Sequence, residues 1–165
     1  MYRIKQFIKS VLARLDYEDE NFINDYLDSS EKKLLYKLPV ADIKHSINVA
    51  RDILNDISLQ KSYENDIDII IKCALLHDIG KQINPLNPVE KSILVILNSI
   101  TKGKIKNYEN KNKKIYIYYN HGYEGYNLLD KKKYSKEFLD TIRYHHNYKI
   151  KSKYLDLLRE YDDKN

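Results

Sequence analysis

The stretch ALLHDIGK, residues 74–81, determines much of the predicted fold and function, because it ends an apolar segment with His77 and Asp78 side by side. The residues before it, from Asn65 onward, are almost continuously apolar. Their length and their flanking capping residues favour a buried central helix over a strand. Gly80 is well placed to end that helix. An imidazole and a carboxylate are poorly suited to a hydrophobic core and well suited to a metal ion, so both residues are candidate ligands.

The composition favours one helical domain of 165 residues, of which 42% are hydrophobic. Only four glycines and three prolines interrupt a sequence rich in Ile, Leu, Lys, Asp and Glu, which indicates an all-α fold. The net charge of +5 suits an anionic ligand such as a phosphate, but it does not by itself favour nucleic acid. No segment has the length of a membrane span. The single Cys73 excludes a disulfide framework within the chain, and no signal-peptide pattern is present, so we expect a cytoplasmic protein.

Hydrophobic spacing predicts a series of helices joined by short polar segments. The residues from Thr101 to Lys114 form a predicted loop, and residues 114–119 (KIYIYY) alternate like a strand, although their surroundings favour a helix. We expect an N-terminal helical extension, residues 1–41, packed on a main domain, residues 42–165. The predicted helices are Arg3–Leu15, a short one after cap-like Ser29 and Ser30, 41–57, the central helix, one after Pro88, 121–130 with His121 at its start, 136–147 and 153–165.

The five histidines lie at or near predicted helix ends, and two acids accompany them. The candidate metal ligands are His45, His77, Asp78, His121, His145, His146 and Asp162. A lone histidine is more often a surface or core residue than a ligand, but this ordered set indicates convergence at one end of a helical bundle. Nitrogen and oxygen ligands without thiolates suit Mn, Fe, Co, Ni or Zn. Seven ligands exceed what one ion normally takes, so we expect two ions ~3.5–4 Å apart, with Asp78 able to bridge them.

These motifs resemble those of the HD superfamily of metal-dependent phosphohydrolases. The segment KHSINVA (44–50) resembles the first-histidine helix of that family, and ALLHDIGK resembles its His-Asp motif. LLREYDD (157–163) resembles the closing motif, with Asp162 as the aspartate and Tyr161 where alanine is common. Because of that departure, Asp163 and Asp156 remain alternatives for the last ligand. The resemblance covers residues 42–163, and EKKLLYKLPVADIKHS (31–46) is similar to small HD proteins of Firmicutes.

The resemblance implies an all-α HD-domain bundle with its metal site between helix ends. It implies cleavage of a phosphate ester or anhydride of a nucleotide or dinucleotide by a metal-activated water, with Fe or Mn favoured. One ion would be bound by His45, His77, Asp78 and Asp162. The second ion would be bound by His121, His145 and His146 and would share Asp78 with the first. NHGYEG (120–125) and IRYHHN (142–147) resemble two-metal members, including HD-GYP phosphodiesterases, cyclic di-AMP phosphodiesterases and HD-type diadenosine tetraphosphate hydrolases. HHNYKIK (145–151) lacks the Gly-Tyr-Pro of the HD-GYP group, which argues against cyclic di-GMP.

Two cations near the histidines are candidate substrate ligands. Lys81, three residues after Asp78, could meet a phosphate oxygen, although a lysine is favourable at a helix C-terminus in any case. Arg143, two residues before His145, is the second candidate. Its alternative role is to form an ion pair on the protein surface.

Two alternative functions and a homodimer are also compatible with the sequence. The chain could be a catalytically silent HD-type nucleotide-binding or regulatory module, but the complete ligand set and Lys81 favour catalysis. It could bind nucleic acid through Lys102–Lys114, although a solvated loop explains those lysines more simply. A homodimer through the N-terminal helices is a further prediction.

Overall fold

Eight α-helices and no strand make up the described part of this computed structural model, residues 11–56, 63 and 65–165. The all-α prediction is therefore confirmed. The predicted helix Arg3–Leu15 lies largely outside the described residues, and residues 12–15 within them are not helical. The helices are α1 (Tyr17–Tyr26), α2 (Ser29–Leu35), α3 (Val40–Asn55), α4 (Ile67–Leu76), α5 (Pro88–Ile100), α6 (Lys113–Leu128), α7 (Lys136–Tyr144) and α8 (Lys153–Asp162). Two 3₁₀ segments, Ile79–Ile83 and Lys104–Tyr108, lie between α4 and α5 and between α5 and α6.

Helix α2 is capped by a carboxylate. The prediction that Ser29 and Ser30 provide the cap is wrong, because Ser29 is already the first helical residue. Asp28 Oδ1 instead accepts the backbone N–H groups of Ser30 and Glu31, at 2.8 and 3.0 Å. Glu31 in turn accepts the Asp28 N–H at 2.8 Å, which completes a capping box.

Two fully buried carboxylates of the first helices bind cations of the later ones. Asp19, on α1, accepts from Arg51 at 2.8 Å and from Lys44, the residue before His45. Glu31, on α2, is contacted by three side chains from α4 and from the segment before α7, namely Lys72, Lys133 and Tyr134. Buried carboxylates are stable only when paired in this way. The first helices are thereby tied to the helices that carry the histidines, while the division into residues 1–41 and 42–165 stays a prediction.

Helix α4 lies at the centre of the core, since it is apolar on nearly every side. Its buried residues are Ile70, Ile71, Cys73, Ala74, Leu75 and Leu76. The prediction that Gly80 ends this helix is wrong: α4 ends at Leu76, with His77 as its C-cap. Gly80 lies in the following 3₁₀ segment, and among the described residues only Lys102 and Gly103 have positive φ. Gly80 is needed there for close packing, as shown below.

Helix α6 is longer than its sequence pattern indicated. The helical prediction for residues 114–119 is confirmed, but His121 does not begin a helix, because it lies about two turns inside α6. Ile115 and Ile117 alternate with tyrosines as in a strand, yet both isoleucines are buried within one helix. Asn112 caps this helix by accepting the N–H groups of residues 114 and 115.

Candidate metal centre

All seven predicted metal ligands come together in two adjacent groups. The first group has His45 from α3, His77 at the end of α4 and Asp162 from α8. The second group has Asp78, directly after His77, together with histidines from α6 and from the end of α7: His121, His145 and His146. Within each group the candidate ligand atoms all lie within 4.8 Å of one another. Each group is therefore compact enough for one ion.

Asp78 faces both groups with different oxygens. Its Oδ2 lies 3.3 Å from His77 Nε2 in the first group. Its Oδ1 lies 3.2 Å from His121 Nε2 and 3.9 Å from His145 Nε2 in the second group. A carboxylate in this position can bridge two ions, one on each oxygen.

Asp162 is the terminal acid that lies in the first group. Its Oδ1 lies 2.8 Å from His45 Nε2 and 3.7 Å from His77 Nε2. The two alternatives point elsewhere, since exposed Asp163 accepts from Tyr148 and exposed Asp156 faces Lys151 and Arg159. The bulky Tyr161 next to Asp162 is accommodated because it is buried in the hydrophobic core, with its hydroxyl bonded to Asp56.

Backbone carbonyls orient three of the histidines. The Nδ1 atoms of His77, His121 and His145 lie 2.7, 3.0 and 2.8 Å from carbonyl oxygens. Those oxygens belong to residues three or four positions earlier in the chain, Ala74, Ile117 and Ile142. Because a carbonyl oxygen can only accept, each Nδ1 carries the proton and each Nε2 of a neutral ring presents a lone pair. This is the usual second contact of a metal-binding histidine.

The Nε2 atoms of the three histidines in the second group lie close together. His121 Nε2 lies 3.2 Å from His145 Nε2 and 3.0 Å from His146 Nε2. Two Nε2 lone pairs cannot bond to each other, whereas a cation between the rings would satisfy both. Among the described residues, His77 Nε2 and Asp78 Oδ1 are buried without a hydrogen-bond partner. The donor set therefore fits a bound metal ion.

The protonation states suit metal ligands. Burial raises the pKa of Asp78, but His77 and Lys81 outweigh it and hold the pKa well below its usual range. Burial and the neighbouring histidines keep the pKa of His145 well below 6.5, so this ring is neutral. Burial lowers the pKa of His77, yet the Asp78 and Asp162 carboxylates raise it to about 10. These carboxylates favour a positive charge beside them, which a proton or a metal ion can supply.

Close backbone packing brings the second group together. A Cβ atom on Gly80 would lie 1.9 Å from the carbonyl oxygen of His121 and 2.5 Å from the backbone nitrogen of Gly125. A Cβ atom on Gly122 would lie 2.8 Å from the carbonyl oxygen of Arg143. Glycines thus allow the 3₁₀ segment after Asp78, helix α6 and the end of α7 to approach one another closely.

Of the two predicted substrate cations, Lys81 lies at the metal groups. Its ammonium donates to Asp78 Oδ2 and lies 3.9 Å from Asp42 Oδ1, with 20% of the side chain exposed. Arg143 contacts aromatic rings instead: its guanidinium carbon lies 4.9 to 5.3 Å from three ring centroids, those of Tyr123, Tyr126 and Tyr144. The substrate-binding role of Arg143 remains a prediction.

Arg159 is a site residue that the sequence reasoning missed. It is 5% exposed, and its guanidinium donates to four backbone carbonyls at 2.7 to 2.8 Å, those of Tyr144, His145, Asn147 and Ile150. These carbonyls belong to the segment that carries His145 and His146, so Arg159 positions both rings. A signal was present in the sequence, because Arg159 lies one turn after Leu155 on the apolar stripe of α8.

Replacing Arg159 with Met should unfold the segment around His145 and weaken metal binding. Loss of the charged hydrogen bonds is expected to lower the free energy of unfolding by about 3 kcal/mol. We expect metal affinity to fall about ten- to hundredfold, as for other residues that position ligands. Urea unfolding and metal titration measure the two effects. Leu158→Ala, a buried neighbour, is the control: it should lower stability similarly but leave metal affinity unchanged, and equal losses of affinity in both variants would contradict a positioning role.

Comparison with known proteins identifies the family. The family model for the HD domain matches residues 42–164, so the chain belongs to the HD domain family. HD domains bind divalent metals, and the family consists generally of metal-dependent hydrolases. No curated protein and no solved structure matches the chain. Among the described residues, no helix combines the length and hydrophobicity needed to cross a bilayer.

Proposed function

We propose that this HD-domain protein is a two-metal phosphohydrolase that cleaves a phosphate ester or anhydride of a nucleotide or dinucleotide. The observation that carries the proposal is the position of Asp78 between two ligand groups, with one oxygen toward each. A single-metal site would need only the first group and Asp78. Metal binding would give the second group a role, because His121 and His145 are buried and oriented by backbone carbonyls, and His146 Nε2 lies 3.0 Å from His121 Nε2.

Bound divalent ions would lower the pKa of a water molecule and offset the charge of the phosphoryl group in the transition state. His45, His77, Asp78 and Asp162 would hold one ion, and His121, His145 and His146 would hold the other with Asp78. The carbonyl contacts keep the Nε2 lone pairs in place before any ion binds. This preorganisation reduces the cost of assembling the site.

Lys81 would contact a non-bridging phosphate oxygen of the substrate. Its ammonium lies between the carboxylates of Asp78 and Asp42, and these raise its pKa despite burial, so it remains charged. A fixed cation beside the metal groups stabilises negative charge that develops on phosphate. Lys81 would act as an electrostatic catalyst rather than as a general acid.

Metal stoichiometry tests the two-ion proposal. We expect wild-type protein, purified without chelators, to contain about two Fe or Mn ions per chain, as a two-metal site requires. His121→Ala should reduce this to about one, because it removes the central ring of the second group and leaves the first group intact. Plasma mass spectrometry measures the ion content. Co, Ni and Zn are counted in the same measurement.

The control is Asp163→Ala, which changes an exposed aspartate next to Asp162 and should retain both ions. One ion in wild-type protein, unchanged by His121→Ala, would reduce the site to the first group and Asp78. No ion even after reconstitution, with no turnover of nucleotides or dinucleotides, would favour a silent nucleotide-binding or regulatory module.

A further inference from the structure

Helix α5 presents a large apolar face to solvent. Of its 13 residues only Leu94 is classed as buried. Its exposed aliphatic residues are Val89 (54%), Ile93 (50%), Ile96 (55%), Leu97 (39%) and Ile100 (73%). They follow helical spacing and therefore form one stripe along the helix, which we call the α5 stripe. A contiguous exposed apolar surface of this kind marks an interaction site.

The positive charge of the chain is concentrated beside the α5 stripe. Residues 88–114 contain seven lysines and two glutamates, so they account for the whole formal charge of +5 and the rest of the chain is formally neutral. Five of these lysines follow the helix and are exposed: Lys102, Lys104, Lys106, Lys111 and Lys113. We call these five the lysine cluster. The cluster begins two residues after Ile100, at the end of α5.

The other charges of α5 are engaged within the chain. Glu90 pairs with Lys114 on α6, and Lys91 Nζ lies 3.3 Å from Asp42 Oδ1 on α3. These contacts attach the helix to the rest of the protein. They leave the α5 stripe free of charged groups, and the lysine cluster follows the C-terminal end of the helix in the chain.

We infer that the α5 stripe and the lysine cluster dock this protein on an anionic lipid surface. Aliphatic side chains can enter the boundary between headgroups and acyl chains, while lysines beside them bind acidic headgroups. A nucleic acid would use the lysines and leave the stripe exposed. A second copy of the chain would cover the stripe but would gain nothing from the lysines. Of these three partners, only an anionic bilayer uses both features.

Vesicle flotation tests the inference. The full-length protein should float with phosphatidylcholine vesicles that contain phosphatidylglycerol, bind far less to pure phosphatidylcholine, and dissociate as salt is added. Ile93→Glu combined with Ile96→Glu should weaken binding about thirtyfold or more, because two aliphatic side chains no longer enter the lipid. A triple change of Lys102, Lys104 and Lys106 to Gln should weaken it about a hundredfold.

Matched controls change the same chemistry elsewhere. Ile69→Glu alters an exposed isoleucine on α4, and a triple change of exposed Lys33, Lys37 and Lys149 to Gln removes the same charge. Both controls should float like wild-type protein. Circular dichroism on every variant verifies that the helices are retained.

Three results would overturn the inference. The first is failure of wild-type protein to float with the acidic vesicles. The second is salt-sensitive binding to single-stranded DNA or RNA that the lysine variant loses and the isoleucine variant keeps, without flotation. The third is a wild-type dimer in sedimentation that the isoleucine variant converts to monomer, again without flotation, which would make the stripe an interface between copies.

Discussion

Asp78→Asn should abolish turnover and remove metal from the protein. The substitution keeps the shape of the side chain but removes its negative charge and one of the two oxygens that face the ligand groups. Metal ions contribute several kcal/mol of transition-state stabilisation, so we expect a loss of about a thousandfold or more in kcat/KM. Hydrolysis of nucleotides and dinucleotides, measured with ion content on the same sample, gives both values.

Two further variants distinguish loss of the bridging carboxylate from loss of folding. Asp162→Asn affects a ligand of the first group only, so it should lose activity while the second group still holds an ion. Asp163→Asn is the matched control, because this exposed neighbour accepts a hydrogen bond from Tyr148 and faces away from the groups. If Asp78→Asn folds normally and retains two ions and near-normal turnover, the bridging proposal is wrong.

Gly80→Ala should be among the most destabilising single methyl additions in the chain. The new Cβ atom would lie 1.9 Å from the His121 carbonyl oxygen and 2.5 Å from the Gly125 nitrogen, and both are backbone atoms that cannot rotate away. The 3₁₀ segment must therefore separate from α6, at a cost of about 3 kcal/mol or more. The same separation moves Asp78 away from His121, so metal binding should be lost as well. Urea unfolding and ion content measure the two effects.

Gly125→Ala is the control for that experiment. A Cβ atom there would meet a side-chain carbon of Ile142 at 3.2 Å and the Gly80 nitrogen at 3.3 Å, contacts that small shifts can relieve. We expect about 1 kcal/mol of destabilisation and normal metal content. Equal stability of both variants would show that the approach of the 3₁₀ segment to α6 is less close than described.

Helix prediction succeeded where the apolar residues followed clear helical spacing, as in α3 and α7. It failed in detail where long-range packing decided the outcome. Residues 114–119 were predicted to be helical, but their alternating pattern gave no indication that they and His121 belong to one continuous helix. Gly80 follows an apolar helix like an ordinary helix-ending glycine, yet the close approach of α6 requires it.

The candidate ligands, by contrast, could be read directly from residue types and order. The ordered set of five histidines and an adjacent aspartate is more specific than any one of these residues, so it indicated metal binding before any contact was known. The contacts that orient the ligand side chains could not be predicted from residue types and order. Arg159 bonds to carbonyls 9 to 15 residues earlier, and no local pattern specifies which carbonyls an arginine will meet.

Composition, periodicity and residue type were enough to predict the helical class, the HD family motifs and six of the seven candidate ligands, with three aspartates as choices for the seventh. Contacts in the folded chain were needed to establish which acid lies in the first group, how Asp78 divides its oxygens between the groups and why Gly80 and Gly122 have no side chain. The tertiary structure also decided that the lysines follow an exposed apolar stripe. Such features arise from contacts between residues far apart in the chain, where the close approach of helices determines which atoms meet.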